Sequence, residues 1–215
     1  MYRLIVGTRD WSSWSLRAYL ALAATGEPFE EVVIGLRQSE DGVTRNAIGK
    51  YSPAGRVPVL EIRENGKAVT VWDSLAICET LAERHAGLWP ADWEARAMAR
   101  SYAAEMHSGF ADLRQQLSMD LARRLSPPLL RGETESQIAR ILSSWEEALV
   151  RFGGGFLFGG FSIADCMYAP VVSRFTTYDV PVSAAVKNYM DRIWALASMQ
   201  AWMAAAKKEV ADGLA

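Results

Sequence analysis

The sequence predicts an α/β N-terminal domain of order βαβαββα over residues 1–84, followed by an all-α C-terminal domain over residues 93–215. Three observations carry this. The β-rich runs all fall before residue 73; two of them flank Asn65-Gly66, a strong hairpin signal; and from Trp93 onward apolar residues recur at spacings of three and four.

Taken in order, Arg3 to Val6 is a short apolar run closed by Gly7, which reads as a buried strand. Ser13 to Thr25 carries helix formers and stops at Gly26. Phe29 to Ile34 repeats the strand signal, residues 40–49 fit a short irregular helix, and Ser52-Pro53-Ala54-Gly55 is turn chemistry. Val57 to Ile62 and Ala68 to Trp72 form the hairpin, and a helix runs from Ser74 to about Arg84. Residues 86–92, with Gly87 and Pro90, make a linker.

The second half reads as helices interrupted at Pro127-Pro128, at the glycine-rich loop 153–160 and around Pro181. Ala99, Tyr102, Met106, Phe110, Leu113 and Leu117 form one stripe of a long helix, and Ile138, Ile141, Leu142, Trp145 and Leu149 a stripe of the next. Ser162-Ile163-Ala164-Asp165 is a capping box variant, with Ser162 at the N-cap and Asp165 at the third helical position.

Composition narrows the function classes. The chain is 50% hydrophobic, enough to fill a sizeable core, and its formal net charge of −2 comes from scattered basic and acidic residues. This leaves no electrostatic footprint for nucleic acid or an anionic membrane, so neither is expected as a partner. The opening run is neither a signal peptide nor a spanning helix. Cys78 and Cys166 form no CxxC or His-rich cluster. A disulfide framework and a metal site are therefore not expected, and a reducing cytoplasm is.

The most telling local piece is Trp11-Ser12-Ser13-Trp14-Ser15-Leu16-Arg17 after the first strand. With Arg56-Val57-Pro58-Val59-Leu60, Asp73-Ser74-Leu75-Ala76-Ile77 and the Ser162 cap, in this order and spacing, it resembles the cytosolic glutathione transferase family, particularly the serine-using zeta class and its bacterial relatives. The resemblance spans nearly the whole chain. It implies a thioredoxin-like first domain packed on the helical one, a homodimer in the cytoplasm, glutathione as co-substrate, no metal, and a role in detoxification. It also implies a cis Val57-Pro58 bond, which turns the Val57 backbone outward to pair with the cysteinyl residue of glutathione as an added strand would.

The chemistry follows from the thiol. Free thiols have a pKa of about 8.5, so little of free glutathione is the nucleophilic thiolate at neutral pH. A hydroxyl donor at the start of a helix supplies a hydrogen bond to the charged sulfur and the positive end of the helix dipole. A two-unit drop corresponds to about 2.7 kcal/mol, within reach of both together. Ser12 matches the family's catalytic position, with Ser13 as the fallback; an ordinary N-cap role is the alternative for both. Ser74 and its backbone N–H suit the α-carboxylate of the γ-glutamyl group, and Asp73 its ammonium, against the alternative of a plain capping pair. Arg56, the charge next to Val57, is the candidate for the glycine carboxylate, with Lys50 as the alternative and a solvated surface charge as the competing reading for each.

Trp11, Tyr102 and Met106 are expected to line the pocket for a small hydrophobic electrophile, with core packing as the competing reading for aromatics and methionines at helical spacing. Trp14 stands where the zeta motif has a cysteine, which argues against isomerase activity on maleylacetoacetate. His107 and Glu105 invite a general-base role that no second motif supports, so His107 is read as a lone surface histidine; Cys78 and Cys166 are read as core and Asp165 as a structural cap. The function expected is attack of activated glutathione on the electrophile; glutathione-dependent isomerisation or peroxide reduction, or a catalytically silent binding protein, are the alternatives.

Overall fold

The computed structural model describes residues 1–36 and 42–214. Its first half contains β1 (Tyr2–Gly7), α1 (Ser13–Ala24), β2 (Phe29–Ile34), α2 (Val43–Gly49), β3 (Val59–Glu64), β4 (Lys67–Trp72) and α3 (Ser74–Ala82). The strands form one sheet of order β2-β1-β3-β4, with β1 and β2 parallel and the other pairs antiparallel. This is the βαβαββα order expected. Of the helix expected over 40–49, residues 40 and 41 lie outside the described residues, and the remainder corresponds to α2. β3 begins at Val59 and not at Val57, because Pro58 has no N–H for a ladder bond. The hairpin turns at Asn65 and Gly66, with φ of 51° and 74°, the conformation for which Asn-Gly is favoured.

Alternation along β1 sends side chains to two cores. Leu4 and Val6 join the large core under α1 and α3, whereas Ile5 packs with Ile34, Ile48 and Val59 on the other face.

A turn at Ala86–Leu88 leads into α4 (Trp93–Ser108), α5 (Ala111–Gln116), α6 (Gly132–Phe152), α7 (Ile163–Thr177), α8 (Ala184–Ala195) and α9 (Ala197–Ala211). The single long helix expected around Tyr102 is two helices. All six stripe residues are buried, yet the chain breaks at Gly109 and Phe110, where Phe110 has φ of 57°. Gly109 permits the break, since a Cβ there would stand 2.9 Å from the Glu105 carbonyl oxygen. Arg114 then donates from one Nη to the exposed carbonyls of Met106 and Gly109.

The capping box forms as expected. The Ser162 N–H and Oγ donate to Asp165 Oδ2 at 2.8 and 3.1 Å, and the Leu157 N–H donates to Oδ1 at 3.1 Å. Burial pushes the Asp165 carboxyl up to about 6 against these bonds.

The two halves share one core, and polar contacts fix the β1–α1 loop to the second half. Asp10 Oδ1 accepts from Leu121 N and Ala122 N, both at 2.9 Å. Arg9 donates from its backbone N–H and one Nη to Glu209 of α9, and its carbonyl accepts from Trp202 Nε1 at 3.0 Å. In α1 the buried Arg17 donates from Nε to the Met167 carbonyl of α7 at 3.2 Å.

Candidate active site

One cavity of about 280 Å³ is lined by Trp14, Ala54, Arg56, Val57, Pro58, Trp72, Asp73, Ser74 and His107. Four sequence-predicted residues, Arg56, Val57, Asp73 and Ser74, therefore meet in one place. The Ser52 turn sets the first two: Gly55 N–H donates to the Ser52 carbonyl at 3.2 Å and Arg56 N–H to Ser52 Oγ at 3.2 Å. The Val57-Pro58 peptide is cis.

The start of α3 sets the other two. Asp73 is its N-cap, with Oδ1 accepting from Leu75 N–H at 2.8 Å. Ser74 is buried, and its Oγ has no hydrogen-bond partner within the protein. A buried hydroxyl without a partner is costly, and here it lines a cavity at the positive end of a helix. That arrangement suits an anionic oxygen.

Ser12 does not line this cavity. It is the N-cap of α1, buried, and its Oγ donates to Ser15 Oγ at 2.8 Å; Ser15 Oγ also accepts from Gly7 N–H at 3.0 Å. Gly7 is needed for the fit, because a Cβ there would lie 3.1 Å from Ser12 Oγ and still closer to Leu36. Ser13 is buried too, and it is Trp14, two residues on from Ser12, that reaches the cavity.

Sequence reasoning assigned Trp14 no place in the site and read His107 as a surface residue; both line the cavity. His107 Nε2 lies 3.4 Å from Asp73 Oδ2, its Nδ1 is buried without a partner, and its ring meets Trp14 edge-on with centroids 5.3 Å apart. The available signal was its place four residues after the buried Ala103, at the border of the α4 stripe.

The guanidinium groups of Arg17 and Arg114 stand over Trp14, 4.4 and 5.5 Å from its ring centre. Burial, then repulsion from Arg174 and Arg114, pulls Arg17 down to about 9; burial and Arg114 pull Arg174 down to about 10. None of the three forms an ion pair among the described residues.

The expected electrophile pocket divides. Trp11 lines a second cavity of about 260 Å³, with Asp10, Arg114, Ser118, Met119, Asp120, Arg123 and Arg174. Tyr102 and Met106 line neither cavity. Both are buried in the core, where Tyr102 donates to the Ser144 carbonyl at 3.2 Å and packs edge-on against Phe158; core packing holds them, as for most residues on an apolar stripe. Lys50 lines a different cavity beside Val33 and Tyr51, away from Asp73. Cys78 and Cys166 are buried free thiols, and burial raises both. No group of residues suited to holding a metal occurs among the described residues.

Comparison with known proteins agrees with this architecture. The family profile for the glutathione S-transferase N-terminal domain matches residues 11–84, and that for the glutathione S-transferase C-terminal domain matches residues 91–208. A glutathione transferase homologue from Burkholderia with bound glutathione is 25% identical, with TM-score 0.68, covering 96% of this chain and 98% of its own. A maleylacetoacetate isomerase from Anaeromyxobacter dehalogenans with glutathione in its active site is 29% identical, with TM-score 0.68 and 94% of each chain covered. A diazinon-metabolizing glutathione S-transferase of the silkworm Bombyx mori, at 17% identity and TM-score 0.72 over 98% of this chain and 99% of its own, shares the fold. No curated protein matches the chain. On two adjoining profile matches and this architecture, the chain belongs to the glutathione S-transferase family.

Proposed function

We propose that the cavity at the start of α3 binds glutathione and that the protein activates its thiol for attack on a small electrophile. The observation that carries this reading is the meeting of Arg56, Val57, Asp73 and Ser74 in one cavity, with Ser74 Oγ buried and unpartnered at a helix N-terminus. Ser74 and the first N–H groups of α3 take the α-carboxylate of the γ-glutamyl group, Asp73 its ammonium, the Val57 backbone the cysteinyl residue, and Arg56 the glycine carboxylate.

Ser12, at the N-terminus of α1, donates to the sulfur and stabilises it as thiolate; it is a donor to the nucleophile and not a nucleophile itself. The thiolate attacks the electrophilic carbon, the carbon–sulfur bond forms, and the leaving group departs with the electron pair of the bond that breaks. Trp11, on its own cavity wall, borders the electrophile. We further propose that the enzyme works in the cytoplasm as a homodimer; a stable monomer of 23.8 kDa in sedimentation would contradict the dimer.

The test is a pH titration of bound glutathione, following thiolate absorbance in the wild type and in Ser12→Ala, with calorimetry in parallel. Binding by both, with a depressed thiol pKa in the wild type alone, supports the serine mechanism. An unchanged midpoint in Ser12→Ala moves the role to Ser13 or refutes it, and absence of binding by either protein leaves a silent member of the fold. The 29% identical isomerase supplies the second reading, glutathione-dependent isomerisation, against which Trp14 stands. A maleyl diketone, an organic hydroperoxide and an aryl halide assayed side by side separate the activities.

A further inference from the structure

Three N–H and O–H groups compete for acceptors beside Ser12. Gly7 N–H donates to Ser15 Oγ at 3.0 Å, and Ser12 O–H donates to the same oxygen at 2.8 Å. A serine oxygen has two lone pairs and one proton. Ser15 Oγ thus accepts twice, and no bond formed by its own proton occurs among the described residues, although the side chain is fully buried. A buried donor left unmade costs about as much as a lost hydrogen bond. Ser12 Oγ, meanwhile, meets Ser15 Oγ and does not line the cavity.

We infer that the Ser12–Ser15 pair is a two-position proton switch, set by Gly7 N–H, that reverses when glutathione thiolate arrives, which makes Ser15 a positioning residue for thiol activation. This rests on the reading of Ser12 as the donor to sulfur. In the reversed position Gly7 N–H still donates to Ser15 Oγ, the Ser15 proton turns to Ser12 Oγ, and the Ser12 proton turns to the sulfur. No covalent bond breaks and no proton changes owner; the Ser12-to-Ser15 hydrogen bond is exchanged for one from Ser15 to Ser12 as the two hydroxyls turn. Afterwards every donor has an acceptor, and the chain ends on a charge. Hydrogen bonds aligned in series polarise one another, so Ser12 becomes a stronger donor than a lone hydroxyl. Ser12 and Ser15 are adjacent on one helix face because they stand three residues apart at the start of α1.

Ser15→Ala removes the switch and leaves Ser12 in place. The bound thiol of that variant should titrate higher than the wild type by about half a unit to one unit, the worth of one ordinary hydrogen bond, and by less than in Ser12→Ala. Affinity for the neutral thiol form, measured by calorimetry at pH 6, should stay within about twofold; a merely structural role would move affinity or stability and not the midpoint. Ser15→Cys, similar in outline but a weaker donor and acceptor, serves if the alanine variant does not fold, with the thiolate signal taken as the difference with and without glutathione; its midpoint should also rise. A midpoint that stays at the wild-type value or falls in the folded Ser15 variant, while Ser12→Ala raises it, overturns the switch and leaves the Ser12 reading standing. If Ser12→Ala also leaves the midpoint unmoved, both fall together.

Discussion

Asp73 performs two tasks that one substitution can separate. Oδ1 accepts from Leu75 N–H at 2.8 Å as the cap of α3, and Oδ2 faces the cavity 3.4 Å from His107 Nε2. Asparagine caps a helix about as well as aspartate, so Asp73→Asn should keep the fold and lose the charge; Asp73→Ala loses both, at about 1 kcal/mol for the cap. In a chain of 215 residues that amounts to a fall in Tm of roughly 2–4 °C. A charged hydrogen bond to the γ-glutamyl ammonium is worth about 1.5–3 kcal/mol. The Asp73 side chain is 47% exposed, which places it at the low end, so glutathione should bind Asp73→Asn about tenfold more weakly. Calorimetry and thermal unfolding by circular dichroism read the two quantities. A glutathione analogue lacking the α-amino group should bind wild type and Asp73→Asn alike. If Asp73→Asn binds glutathione as the wild type does and only Asp73→Ala is impaired, Asp73 is a cap alone and its place in the site is refuted.

Arg56→Met should weaken glutathione by roughly tenfold, whereas Lys50→Met should change it by less than about twofold. γ-Glutamylcysteine, which lacks the glycine carboxylate, should not distinguish Arg56→Met from wild type, and calorimetry with both ligands checks this. Asp165 gives a pH signature. Its folded pKa of about 6 lies above the ordinary carboxyl value, so the native state holds the proton more tightly than the unfolded chain and this group's contribution to stability falls as pH rises from about 4 to 6. The two-unit difference corresponds to about 3 kcal/mol. Asp165→Asn cannot titrate, so its stability relative to wild type should improve by about that amount across the window in urea unfolding. A difference that does not vary with pH contradicts the buried titration.

The sequence carried the fold because its signals are local. Asn65-Gly66 needs only its own backbone preference, and the Ser162–Asp165 box closes within one turn. The break at Gly109 was hidden because Phe110, Leu113 and Leu117 keep helical spacing on both sides; the kink conserves the buried face. Among site residues, Val57 came with the family resemblance and Arg56 as the charge beside it, whereas Asp73 and Ser74 also follow from a helix start. His107 was illegible because its partners, Asp73 and Trp14, are remote in sequence and come from the other half of the chain. Ser15 gave no signal either, since a serine one turn into a helix shows nothing of the two donors it accepts.

The ties of Arg9 to Glu209 and of Asp10 to Leu121 and Ala122 fasten the loop ahead of Ser12 to segments more than a hundred residues further along the chain. The four strands are complete by Trp72, whereas the core that Leu4 and Val6 enter is closed by Ala99, Ile141 and Met167 of helices made later. The loop that leads into Ser12 lacks its last anchor until α9 has been translated. Loss of α9 therefore strips the loop ahead of Ser12 of its bonds to Glu209 and Trp202, although α9 lies at the other end of the sequence.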